Sequence, residues 1–221
     1  MKIFKENLTS KILQQKSSSI INKYKKKIDI LEIGCGDGNI TSFAINNRKI
    51  DHNFYLSDIS ISAVNAAKKK IRYKKCEFKT GKWLNPWKDK KFDIIISDVS
   101  SINDFIANKS PWYKGVICNS GTDGLRNIEK IISNIDINLK KNGKFILPMI
   151  SLSDEKKLIK LLKKNFLNVS FTKKIIWPIP SFFHKDKAKY IKLKKDSKIN
   201  FQEKFGIFLA YTYSATCYGT K

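Results

Sequence analysis

The sequence predicts an α/β fold with a seven-stranded, mostly parallel sheet, an antiparallel last strand and helices on both faces. Three observations carry this expectation. The mostly apolar run Ile28–Ile33 meets the glycine-rich turn Gly34-Cys35-Gly36-Asp37-Gly38, and a helical pattern follows. Asn53–Leu56 reads as a second strand, leads to the carboxylate of Asp58, and precedes the helical run Ala63–Ala67. Phe92–Ser97 is apolar almost throughout, as a central strand covered on both faces must be. Strand, glycine turn and helix in alternation is the Rossmann-like arrangement, which seats ligands beyond the carboxyl ends of its parallel strands.

The elements follow in order. Asn7 to Ser10 supplies a helix start, and the chain to about Tyr24 reads as one helix, so residues 1–27 form an expected N-terminal helical segment before a domain over 28–221. Strand one is Ile28–Ile33, with a helix around Thr41–Asn46. Strand two has its helix over Ser62 to Arg72, and Cys76–Lys79 is a short third strand. After strand four comes a long connection, Val99–Gly124, whose Ile102–Gly124 part is exceptional for a compact domain and is expected to form part of a lid. A helix over Leu125–Leu139 leads to strand five at Gly143–Leu147, and Ser153-Asp154-Glu155 caps a lysine-rich amphipathic helix. Val169–Trp177 and Gly206–Ser214 are strands six and seven. No clear helix separates that pair, so an antiparallel edge is expected.

The first turn carries chemistry. Glu32 to Gly38 reads E-x-G-x-G-x-G, whereas a dinucleotide fingerprint would need glycine at Asn39. The earlier third glycine, with Glu32 two residues ahead of the first, favours S-adenosyl-L-methionine over a nicotinamide dinucleotide. Gly34, Gly36 and Gly38 let the backbone approach a ligand, and Asp37 stands among them. Asp58, roughly 20 residues on, is placed to accept hydrogen bonds from both ribose hydroxyls of an adenosyl group. A plain glycine turn, and Asp58 as a helix cap, are the competing structural readings.

From about Leu8 to Tyr213 the chain resembles class I S-adenosylmethionine-dependent methyltransferases, and within them the release-factor glutamine methyltransferases. The residues behind the resemblance are Glu32–Gly38, Asp58-Ile59-Ser60, Trp83 ahead of Phe92–Ser97, and Gly121-Thr122-Asp123-Gly124-Leu125. The resemblance implies S-adenosylmethionine as cofactor, methyl transfer as the reaction, and Trp83 against the adenine. Two departures limit it. Where those relatives carry Asn-Pro-Pro-Tyr this chain has Asp98-Val99-Ser100-Ser101, and Lys82 stands where an acid commonly precedes the aromatic. The cofactor pocket therefore carries over and the acceptor does not.

Asp98 is the best-placed carboxylate, either binding the cofactor's ammonium or removing a proton from the acceptor. Ser100 and Ser101 are candidates to hydrogen-bond the acceptor, or they merely turn the chain. Trp112 and Tyr113 either line the acceptor site or pin their loop, and His184 falls near the mouth by topology. His52 precedes strand two, at the wrong edge of the sheet.

The formal charge of +25 raises nucleic acid as a partner, yet arginine occurs only at Arg48, Arg72 and Arg126. Most lysine clusters (25–27, 68–75, 88–91 and 140–144) precede strands and should face away from the chemistry. The lysines of His184–Lys198 are expected at the active-site mouth, where they would favour an acidic acceptor; with Asp186 and Asp196 among them, a plain solvated loop is the competing reading. The leading expectation is methylation of a small molecule or a protein side chain. RNA methylation, or transfer or cyclisation of the cofactor's aminobutyrate chain, is the alternative. The four scattered cysteines indicate neither a disulfide framework nor a metal site, and no run approaches the roughly 20 apolar residues of a membrane span, so a cytoplasmic setting is expected.

Overall fold

The computed structural model describes residues 6–116, 118–180, 183, 186–196 and 198–221. Helix α1 (Leu8–Ile21) starts where the Asn7 side chain accepts the Ser10 N–H at 3.0 Å. Then come β1 (Asp29–Ile33), α2 (Asn39–Asn46), β2 (Asn53–Asp58), α3 (Ile61–Lys70), β3 (Cys76–Thr80) and β4 (Phe92–Ser97). The second half holds α4 (Asp104–Lys109), α5 (Arg126–Ile132), α6 (Ile135–Asn138), β5 (Leu139–Ile150), α7 (Glu155–Asn165), β6 (Phe166–Phe171), β7 (Ile175–Pro178), α8 (Lys187–Lys195), β8 (Gln202–Lys204) and β9 (Ile207–Thr220). The sheet runs β3-β2-β1-β4-β5-β9-β6, with β7 and β8 also pairing on β9. Strands β1 to β5 are parallel, and β9 is antiparallel to every neighbour.

Successive strand residues point to opposite faces, which lets one apolar run feed two layers. Leu31, Ile95 and Phe145 pack with Ile128, Ile131 and Leu158 of α5 and α7. Ile30, Ile94 and Ile146 pack on the other face with Leu13, Ile21, Ile40 and Ala67 of α1, α2 and α3. Burying one such side chain is worth about 1.5–3 kcal/mol, so the first helix is held by the same core as the sheet.

The sheet has nine described strands instead of seven. The expected sixth strand is interrupted at Thr172, because β9 is 14 residues long and takes β6 and β7 in turn along one edge. Strand β8 forms a hairpin with the start of β9, turned at Phe205 and Gly206, which both have positive φ (50° and 74°). The helix expected over Leu125–Leu139 breaks at Ser133-Asn134, and β5 begins at Leu139. Between β7 and β8 the lysine-rich segment contains α8, held by one deep anchor: Tyr190 is fully buried and stacks on Phe183 at 4.2 Å.

The connection after β4 is not a free lid. Ile102, Ile106 and Ala107 are buried in a third apolar cluster with Leu152, Ile179, Tyr190 and Phe208. No helix among the described residues is long and apolar enough to cross a membrane.

Candidate functional site

The three glycines after β1 do three different jobs. Gly34 has φ +74°, and a Cβ there would lie 2.9 Å from the Val99 backbone nitrogen, so it brings β1 close to the exit of β4. The N–H groups of Gly34 and Cys35 both donate to the Ser57 carbonyl, at 2.8 and 3.0 Å, tying the turn to β2. Gly36 has φ +52° and a Cβ would meet nothing within 4 Å; it faces open space. Gly38 starts α2 at φ +77°, where a Cβ would lie 2.7 Å from the Ile71 side chain at the end of α3. Its job is packing.

Asp58 closes the turn from the neighbouring strand. One carboxylate oxygen accepts the Gly36 N–H at 3.0 Å and the other accepts the Ser60 N–H at 2.8 Å. Each oxygen keeps a second lone pair for a ligand. Ser60, not Asp58, caps α3 with its side chain.

Two further carboxyl groups are short of solvent. Glu32 is buried and accepts the Thr41 N–H at 3.1 Å together with the Thr41 hydroxyl. Burial pushes it up to about 8, with the charges of Asp98 and Asp37 adding to the push against the Thr41 bonds. Asp98, at the tip of β4, accepts the Ser10 hydroxyl at 3.0 Å. Burial pushes it up to about 7; the Ser10 bond opposes this, and the charges of Glu6 and Asp58 reinforce it.

These groups line a cleft of about 540 Å³ with Gly34, Gly36, Asp37, Trp83, Ser100, Ser101 and Tyr113. Trp83 is held in the left-handed region, φ 51°, which costs a non-glycine residue about 1–3 kcal/mol. Its indole N–H donates to Asn127 Oδ1 at 3.3 Å. Asn127 in turn donates to the Ser100 Oγ at 3.2 Å, and the Ser120 hydroxyl lies 2.9 Å from both Ser100 oxygens.

Other expected residues stand elsewhere. Gly38 is behind the turn. Trp112 packs edge-to-face on Trp177 at 5.6 Å, which is the loop-pinning role. His184 lies outside the described residues. None of the described lysines between 187 and 198 lines the cleft: Lys187 pairs with Glu203, and Lys189 sits 3.9 Å over the Phe105 ring. The run Gly121–Leu125 is a structural knot. A Cβ on Gly124 would lie 2.8 Å from the Ile102 carbonyl carbon, and Asp123 pairs with Lys157 at 2.6 Å. Sequence reasoning missed Ser10, Arg126 and Asn127 as wall residues. The last two directly follow that knot, which was the available signal.

A family model described as a methyltransferase domain matches residues 24–202. The chain belongs to this methyltransferase-domain family. No curated protein sequence matches it. Among solved structures it is similar to YcgJ from Bacillus subtilis, at 13% identity and a TM-score of 0.58, covering 93% of this chain and 97% of that one. Precorrin-6y C5,15-methyltransferase from Geobacter metallireducens gives 12% identity and 0.55 over 97% and 91% of the chains. The N-methyltransferase NodS from Bradyrhizobium japonicum, solved with S-adenosyl-L-homocysteine, gives 11% and 0.53 over 97% and 90%. At such identities the likeness is one of fold. Membership in a methyltransferase family implies use of S-adenosylmethionine.

Proposed function

We propose that the chain binds S-adenosylmethionine in this cleft and methylates a small molecule or a protein side chain. One observation carries the reading. In a chain of formal charge +25, the acids Glu32, Asp58 and Asp98 are gathered at the tips of β1, β2 and β4 around one cleft. Acids of like sign gathered at one cleft call for a cation, and a sulfonium beside an ammonium supplies two positive charges. The open space over Gly36 fits the same ligand, because any Cβ there would fill it. When bound, the cofactor supplies a methyl group already activated on positive sulfur.

The chain's own residues have separable roles. Asp58 receives the ribose hydroxyls, and Trp83 offers an aromatic face to the adenine. Glu32 and Asp98 hold the cationic end, and Asp98 also stands ready to take a proton from an acceptor that arrives protonated. Ser100 and Ser101 offer hydroxyls, and Tyr113 closes one wall against water. The finer likeness to release-factor glutamine methyltransferases rests on the quoted motifs, and the Asp98–Ser101 segment argues against their acceptor.

The test is calorimetry with S-adenosylmethionine, then incubation of labelled cofactor with cell extract separated into protein, RNA and small-molecule fractions. Micromolar binding, label outside RNA and S-adenosylhomocysteine as by-product are expected. Methylthioadenosine as by-product would mean aminobutyrate transfer, and salt-sensitive label in RNA would change the acceptor class. A folded protein that binds no cofactor would sink the reading.

A further inference from the structure

Arginine fills three of the 44 basic positions in this chain, and lysine fills the rest. Arg48 is engaged locally, in an ion pair with Asp51 at 2.9 Å and over the Tyr73 ring at 4.4 Å. Arg126 is different. It lines the cleft from the first position of α5, and one of its terminal nitrogens donates to the Asn119 side-chain oxygen. Among the described residues no acidic side chain pairs with it; Asp123, three residues before it, is paired with Lys157. A guanidinium presents five donors in a rigid fork that matches a carboxylate or phosphate edge, which lysine cannot copy. Here one arm of the fork is held by Asn119 and the others are available to a ligand.

The cleft carries charges of both signs. Glu6, Glu32, Asp37, Asp58 and Asp98 are its acids, whereas Lys82 and Arg126 are its basic residues among those described. Asp37 is already answered by Lys70 at 3.2 Å. The two cations belong to one wall, since the indole bond from Trp83 to Asn127 joins their segments. Asn127 is used up within that wall, bonded to Trp83, Ser100 and Asn119. An incoming anion then meets Lys82 and Arg126, and of these the guanidinium presents the planar fork that matches a carboxylate or phosphate edge.

We infer that the methyl acceptor carries an anionic group, a carboxylate or a phosphate, and that Arg126 grips it at the cleft wall formed with Trp83, Ser100 and Asn127. The inference rests on the cofactor reading above. It selects among acceptors: the carboxyl groups at the strand tips take the cationic donor, and the arginine takes the anion.

The test uses the full chain loaded with S-adenosylhomocysteine, in wild type, Arg126→Gln and Arg126→Lys. Inorganic phosphate and acetate are titrated separately at constant ionic strength, following the Arg126 side-chain N–H resonance, assigned by its loss in the Gln variant, and tryptophan fluorescence. Saturable binding is expected in wild type, at least tenfold weaker binding in Arg126→Gln, and partial retention in Arg126→Lys. The tighter of the two ions identifies the acceptor's group. Cofactor-product affinity should stay within twofold in both variants. A tenfold loss there would mean the guanidinium holds the donor's own carboxylate, and the inference fails. It also fails if neither ion moves the Arg126 signal, or if the Gln variant binds them equally well. Wild type that does not bind S-adenosylhomocysteine would instead remove the functional reading beneath.

Discussion

The hydroxyl of Ser10 donates to Asp98 Oδ2 at 3.0 Å, joining the first turn of α1 to the tip of β4 across 88 residues of sequence. The Thr9 hydroxyl is held by Thr212 at 3.1 Å, and Leu13 anchors the next turn in the core. The N-terminal helix is therefore a wall of the cleft, and its serine opposes the burial that would neutralise Asp98.

Ser10→Ala should weaken S-adenosylmethionine binding near pH 7 by about tenfold, in line with the ~1.5–3 kcal/mol typical of a hydrogen bond to a charged group. Ser10→Thr should retain most of the affinity. Calorimetry at several pH values checks both, and the Ala variant's binding midpoint should move to higher pH. An unmoved midpoint would mean Asp98 is not the group being titrated.

The two raised carboxyls make a signed prediction. Glu32 at about 8 and Asp98 at about 7 hold protons that the unfolded chain, near 4, has already released. Between those limits the native state binds more protons, so unfolding free energy falls as pH rises. His52, lowered by burial, works with the opposite sign, mainly below its ordinary value of 6.5. The melting temperature of the free protein should decline from pH 6.5 to 8.5, and Glu32→Gln should flatten the decline. Affinity for the cationic cofactor should rise over the same range. A flat profile in wild type would refute the buried-acid account.

Much of this site is legible from local sequence, because each part is a short run with a backbone consequence. Glu32 to Gly38 names the turn, Asp58 the neighbouring strand tip and Asp98 the third. What is not legible comes from pairings across long separations. Nothing near Ser10 indicates Asp98, and nothing near Trp112 indicates Trp177. The split of the sixth strand depends on the length of β9, which lies later in the chain. Helix α8 is hidden for a related reason: its register is set by Tyr190 meeting Phe183, while its lysines read as an active-site rim or a solvated loop. The Gly121–Leu125 run resembles a functional motif, but its contacts to Ile102, Lys157 and Asp104 are structural.

Asp58→Ala removes the acceptor for both the Gly36 and Ser60 N–H groups as well as the proposed ribose partner. Binding of S-adenosylmethionine should weaken by roughly 1.5–3 kcal/mol. Amide exchange at Gly36 and Ser60 should quicken in the free variant, since both donors lose their partner. Unchanged affinity would mean that the ribose is held elsewhere.

The contrast between Gly34 and Gly36 separates folding from binding. Both have positive φ, so alanine at either position pays a backbone penalty of about 1–2 kcal/mol. At Gly34 the new methyl also meets the backbone of Asp98 and Val99 at 2.9 to 3.1 Å, and backbone between two central strands cannot move aside cheaply. At Gly36 it meets only open space. Gly34→Ala should therefore be the more destabilised protein by thermal melting. Gly36→Ala should melt within a few degrees of wild type yet lose cofactor binding, because its methyl occupies the space the ligand needs. If Gly36→Ala bound S-adenosylmethionine normally, the opening above that glycine would not be the cofactor's seat.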